Sequence, residues 1–190
     1  MQPVIFGKEK LETYGGTVFE KPRIFRDPVL VDQNGKALSK QFFIGKWTLV
    51  FFGFTYCPDI CPTTLGMLNK FYGELQKKGE ENGVQVLMVS VDPARDTPDK
   101  MRDYVAYFNP AFTGATGEYM DLIRFTTDLN AGFTKVPTEG NDYLVEHSGN
   151  ITLINPRGDY HGFFRPPFDA QRLHLAFSSV KAQYERDYGK

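Results

Sequence analysis

The chain has 190 residues, 41% of them hydrophobic and 24% charged, a composition that suits one folded domain and excludes extended disorder. Its 22 basic residues stand against 23 acidic ones, for a formal net charge of -1, so there is no electrostatic footprint for DNA or RNA. No apolar run approaches the roughly 20 residues of a membrane-crossing helix, and the opening residues show no signal-peptide pattern.

Residues 1–22 lack periodicity and are expected to form a partly ordered N-terminal segment, with the folded domain running over 23–190. Residues 29–31 and 37–43 flank Asn34-Gly35, a pair that tolerates the positive φ of a tight turn, and so predict an N-terminal β-hairpin. Residues 48–54 are a continuous apolar run, suited to a strand buried on both faces. After Pro62, the residues Leu65, Leu68, Phe71, Tyr72 and Leu75 recur at helical spacing. A second buried strand follows at 84–91. Asp96-Thr97-Pro98 then caps a helix carrying Met101, Tyr104, Val105 and Phe108 on one face, and Asn109-Pro110 stops it. A third helix over 118–130 ends at Gly132. Residues 144–146, 151–154 and 160–164 read as strands, the last two joined by the turn Asn155-Pro156-Arg157-Gly158. Asp169 caps a final helix that buries Leu173, Ala176, Phe177, Val180 and Tyr184. This order predicts an α/β fold of three layers, a mixed central sheet covered by helices on both faces, in the thioredoxin-like layout with the hairpin added. Crossover handedness places the end of the 48–54 strand at the sheet edge where ligands bind.

The two cysteines of the chain, Cys57 and Cys61, follow that strand directly and are too few for a disulfide scaffold. Cys61 precedes Pro62 at the helix start, where free N–H groups and the positive end of the dipole favour thiolate over thiol. Two converging thiolates can form a disulfide, attack one, or bind a soft metal. Two small buried hydrophobes are the plain alternative, but core cysteines have no reason to bracket Pro58-Asp59-Ile60. A tetrahedral zinc site wants four protein ligands, and two Cys, three His and no second ligand pair make zinc a poor fit. Copper(I) accepts two or three soft donors, so one distant histidine would complete a site. A thiol-disulfide oxidoreductase acting on partner cysteines is the other reading. Against it, three residues separate the cysteines instead of the two of thioredoxin-type enzymes, and Glu146-His147-Ser148 stands where such enzymes carry a proline. Peroxidase chemistry fits least, because Thr55 lies too close to Cys57.

The segments Phe52-Gly53-Phe54-Thr55-Tyr56-Cys57-Pro58-Asp59-Ile60-Cys61-Pro62, Ser90-Val91-Asp92-Pro93-Ala94-Arg95-Asp96-Thr97-Pro98 and Asp142-Tyr143-Leu144-Val145-Glu146-His147-Ser148 occur in that order. In them the chain resembles the Sco (SenC) family, over roughly residues 25 to 184. The resemblance implies a thioredoxin-fold copper chaperone, with Cys57 and Cys61 as two ligands of Cu(I) or Cu(II) and His147 as the third. It also implies a role in assembling the dinuclear copper centre of cytochrome c oxidase, with a copper-receiving oxidase subunit as partner. Family members are usually tethered to a membrane outside the cytosol, so the resemblance implies the periplasm or an equivalent compartment, with the tether outside this chain. A redox step by the cysteine pair, with thiol-disulfide partner proteins, stays compatible with metal insertion. Tyr56 departs from the family pattern, which often places histidine before the first cysteine; none of the expected ligands is lost.

Asp92 and Arg95 lie at the end of the second buried strand, on the same edge as the cysteines. They are expected either to orient His147 or tune the thiolates, or simply to hold a helix-entry loop together. Asp59 is expected to stabilise the helix start. His161 alternates with Tyr160 and Phe163 and reads as solvent-facing, while His174 sits beside the apolar stripe of the last helix; neither is assigned to metal. Arg165 with Pro166-Pro167 suggests a partner-facing loop. Residues 132–142 are rich in turn formers and read as a mobile loop ahead of His147.

Overall fold

A computed structural model describes residues 4–140, 142–147 and 149–189. In chain order the elements are α1 (Lys8–Thr13), β1 (Gly16–Arg23), β2 (Leu30–Asp32), β3 (Ala37–Leu38), β4 (Trp47–Gly53), α2 (Ile60–Lys78), β5 (Val84–Ser90), α3 (Pro98–Phe108), β6 (Thr113–Thr116), α4 (Tyr119–Asp128), β7 (Phe133–Pro137), β8 (Tyr143–His147), β9 (Ile151–Ile154), β10 (Tyr160–Phe164) and α5 (Ala170–Tyr188). Eight strands form one sheet in the order β1-β10-β9-β4-β5-β6-β2-β3, and β7 with β8 forms a separate ribbon. Strands β4, β5 and β6 run parallel and their outer neighbours antiparallel, which gives the mixed sheet of the expected α/β layout.

The apolar run at β4 forms the centre because both of its faces are covered. Trp47 meets Phe177 of α5 with ring centroids 5.8 Å apart. Phe52, on the opposite face, meets Phe125 of α4 at the same 5.8 Å. Every residue of β4 is buried, and each large apolar side chain so removed from water contributes roughly 1.5–3 kcal/mol. Helix α2 buries Leu65, Leu68, Phe71, Tyr72 and Leu75, the stripe expected from its spacing. Gly79 at φ 67° ends it, and Lys77 and Lys78 face the negative end of its dipole.

Several elements lie where the sequence predicts none. Before Arg23 lie α1 and β1, and β1 joins the sheet edge by pairing with β10. Leu11 of α1 packs so closely on Gly16 that a Cβ there would lie 2.9 Å from it. The hairpin is present but short: β3 ends at Leu38, and Lys40–Phe43 forms a 3-10 turn that drives Phe43 into the core. Its loop is set by the Asp32 carboxylate, which accepts the N–H groups of Asn34 and Lys36, so that only Gly35 takes a positive φ. Helix α4 stops before Gly132, because Asn130 at φ 52° already leaves the helical region. The stretch read as a loop at 132–142 contains β7, which pairs with β8 in place of the central sheet.

His161 corrects a second expectation. The register of β10 shifts between Tyr160 and Gly162, so strict alternation fails and Tyr160 and His161 are both buried. The His161 ring lies edge-on to Trp47 at 5.2 Å and near Tyr184 at 5.6 Å. Burial lowers its pKa to about 4, so it is neutral at ordinary pH.

Candidate metal centre

Strand β4 delivers the chain to the sheet edge and α2 carries it away, with the cysteines at the junction. Gly53 closes β4, and a Cβ there would lie 2.9 Å from Cys61 Sγ. The absent side chain is what lets the buried sulfur sit against the strand end. Cys61 belongs to the first turn of α2, whose free amides need acceptors. Asp59, at the N-cap position, makes no side-chain cap bond. Instead the Cys61 amide donates to Cys57 Sγ at 3.4 Å, so the first cysteine caps the helix that holds the second. Asp59 Oδ1 accepts the Thr63 hydroxyl at 3.4 Å, and the main-chain carbonyl of Asp59 receives the Thr63 amide.

A buried carboxylate holds the junction in place. Asp96 accepts the Thr55 amide at 2.9 Å, the Thr55 hydroxyl at 2.5 Å and the Ser90 hydroxyl at 2.6 Å. It thereby ties the loop before Cys57 to the end of β5. From the sequence Asp96 read as part of the cap of α3; Thr97 is that cap, accepting the Lys100 amide at 3.3 Å. The signal available was the position of Asp96, one residue before the cap and in the loop that follows a buried strand.

His147, the last residue of β8, brings its Nε2 to 3.7 Å from Cys61 Sγ. The ligand atoms of Cys57, Cys61 and His147 lie within 4.8 Å of one another, and among the described residues no further His, Cys, Asp or Glu joins the group. Phe51 and Phe54 lie nearly perpendicular to the imidazole, with ring centroids 5.9 and 6.1 Å away. The pair is electrostatically asymmetric. Cys57 is lowered to about 4, first by the Cys61 thiol donating to it, against the opposing effect of burial, and then by His147 and by the amides of Cys61 and Asp59. Cys61 is pushed up as the donor of that bond and by its burial. The two sulfurs therefore share one proton, with the thiolate at the half-exposed Cys57.

Asp92 and Arg95 lie beside this group and reach it indirectly. Asp92 Oδ1 accepts the Tyr143 hydroxyl at 2.6 Å and Oδ2 accepts Arg95 Nε at 2.5 Å. Both contacts fall on β8 or its anchor, and Tyr143 had no chemical signal of its own in the sequence. His161 lies in the core and His174 on α5 next to Phe71, so neither approaches the cysteines. Arg165 bonds through its amide to the Gly15 carbonyl at 2.8 Å, which ties the loop after β10 to the start of β1.

The donor set matches a soft metal: two sulfurs, one already a thiolate, and one imidazole, with no fourth His, Cys, Asp or Glu among the described residues for tetrahedral zinc. The sequence profile of the SCO1/SenC family matches residues 19–180. A Stutzerimonas stutzeri protein whose name describes copper binding is 41% identical over 151 residues, 80% of this chain and 74% of its own length. The mitochondrial protein SCO2 of Saccharomyces cerevisiae is 37% identical over 145 residues, 75% of this chain; the chain spans only 48% of that relative's length. The crystal structure of Arabidopsis thaliana ScoI with copper bound superposes with a TM-score of 0.79 at 31% identity, covering 85% of this chain and 99% of that one. On these matches and on the preserved order of its motifs, the chain belongs to the SCO1/SenC family.

Proposed function

We propose that this protein is a copper chaperone that holds one copper ion as cargo through Cys57, Cys61 and His147. The observation that carries the reading is the convergence of two sulfurs and an imidazole nitrogen within 4.8 Å at the end of the sheet. A shared proton across the cysteines gives one thiolate without prior loss of a second proton, and metal binding releases the other. The copper-bound Arabidopsis relative supports the same cargo. Delivery to an oxidase subunit, for its dinuclear copper centre, is supported by membership of a family of cytochrome c oxidase assembly proteins. An extracytosolic site of action is supported by the mitochondrial relative; among the described residues no helix is long and apolar enough to cross a membrane.

The oxidoreductase reading is not favoured by the geometry. Glu146 and His147 stand at the cysteine end of the ribbon, and Pro137 pairs with Tyr143 at its other end. An anaerobic titration of reduced protein with copper against a competing chelator tests the proposal. It should show one copper per chain, with weaker binding in Cys57→Ser, Cys61→Ser and His147→Ala. If His147→Ala held both oxidation states like the wild type, the three-donor reading would be wrong. Insulin reduction at the rate of a thioredoxin would favour the oxidoreductase instead.

A further inference from the structure

Strand β8 carries His147, yet among the described residues no backbone ladder joins β8 to the eight-stranded sheet. Its residues alternate, with Tyr143, Val145 and His147 turned inward and Leu144 and Glu146 outward. The inward residues share one face, so they dock or lift together. Val145 is buried in the middle, and the end away from the cysteines is fastened by polar side chains. The wholly buried Asp92 carboxylate accepts the Tyr143 hydroxyl at 2.6 Å and Arg95 Nε at 2.5 Å. Arg95 also donates to the Tyr143 carbonyl at 3.1 Å and to Asp142 at 2.9 Å. Its guanidinium lies 3.9 Å from the centre of the Tyr143 ring and 4.7 Å from that of Tyr56, the residue next to Cys57.

An apolar contact would dock a ribbon without the cost of burying a carboxylate. A charged fastening has a different property: it is strong while every partner is in place, and removing one leaves an uncompensated buried charge. The contact is therefore made or broken as a unit. The outer arm of the fastening is open to solvent, since the Asp142 side chain is 72% exposed against 19% for Arg95.

The geometry points to Asp92, Arg95 and Tyr143 as a latch that sets whether His147 reaches the cysteine pair. Latched, the protein offers copper two sulfurs and an imidazole; unlatched, it offers the two sulfurs alone, which suit Cu(I) and serve Cu(II) poorly. The latch residues are positioning residues that act through His147, and the inference rests on the three-donor reading above.

The test uses Tyr143→Phe, which removes one hydroxyl, and Arg95→Gln, which leaves the Tyr143–Asp92 bond in place. In the copper-free protein, both should speed amide hydrogen exchange at Val145 and His147 about tenfold or more relative to β4 and β5. Unchanged exchange in both variants would overturn the latch whatever copper does. With copper, Tyr143→Phe should lower Cu(II) affinity about 10- to 100-fold, the range for residues that orient a ligand. It should also move the sulfur-to-copper absorption band toward that of His147→Ala and leave Cu(I) affinity near wild type. Placed in the His147→Ala background, Tyr143→Phe should cost nothing further. An equal loss in both backgrounds would mean a merely structural role. Faster exchange in the latch variants, together with wild-type copper binding by His147→Ala, would keep the latch and overturn the three-donor reading.

Discussion

Cys57 and Cys61 on one side, and His147 on the other, reach the same point through regions built differently. The cysteines are carried by β4, the central strand of the main sheet, and by α2, each of which contributes many core residues, and their loop is pinned by the buried Asp96. His147 is carried by a ribbon of β7 and β8 whose described contacts with the rest include the buried Val145, the Phe51 and Phe54 rings beside the imidazole, Phe133 against Tyr119 of α4 at 5.8 Å, and the side chains around Asp92. The sulfurs thus sit on the main sheet and its first helix, whereas the imidazole sits on a separate two-stranded ribbon, the element that the proposed latch would hold down. A chaperone must keep its cargo and then release it. In the proposed copper site, a rigid pair of soft donors with one displaceable donor would answer both requirements.

The comparison can be broken by changes on either side. The largest effect is expected for Cys61→Ser, which removes the fully buried sulfur and should weaken Cu(I) by at least about 100-fold, beyond the loss for groups that only orient a ligand. His147→Ala should weaken Cu(I) far less, and similar Cu(I) losses for the two in competitive titration would erase the distinction.

Asp96→Ala, on the cysteine side, orphans the Thr55 amide and two hydroxyls. A cost of about 3 kcal/mol is expected, or roughly 6–12 °C in melting temperature for a domain of this size, together with weaker binding of both copper oxidation states. Calorimetry showing a shift of a degree or less would mean the loop is pinned by something else.

Acid sensitivity also belongs to the sheet side. Because burial lowers His161 to about 4, the unfolded chain takes up a proton that the folded chain refuses, and stability falls as pH drops from about 6.5 to about 4. That window amounts to about 3 kcal/mol. Denaturant unfolding at neutral and acid pH should show a smaller acid loss in His161→Gln, and the same loss in both proteins would refute the assignment.

The smallest effect is expected on the ribbon. Val145→Ala should cost about 1–2 kcal/mol of docking, speed exchange of β8 amides about tenfold and lower Cu(II) affinity with little change for Cu(I). A matching drop in Cu(I) affinity would show that the ribbon and the cysteine loop move as one body.

Much of this was legible because it is written locally. The apolar runs of β4 and β5, the 3.6-residue stripe of α2 and the Asp169 cap of α5, which accepts the Arg172 amide at 2.9 Å, need only their own neighbours to be recognised. Strand β6 was not legible: Thr113-Gly114-Ala115-Thr116 has no alternation, and Gly114 lets α3 approach closely, since a Cβ there would lie 3.0 Å from that of Met101. His161 misled because a bulge is invisible to a two-residue period.

At the site, the spacing of the cysteines and the helix that follows them were set by consecutive residues, and with them the thiolate chemistry. What only the tertiary structure decided was the company those residues keep. It placed His147 86 positions from Cys61 in sequence and 3.7 Å away in space, made Asp96 a pin for the cysteine loop, and turned Tyr143 into the hold on β8. Periodicity reports which face of an element is buried; which distant side chain meets it depends on how the sheet and the ribbon are docked.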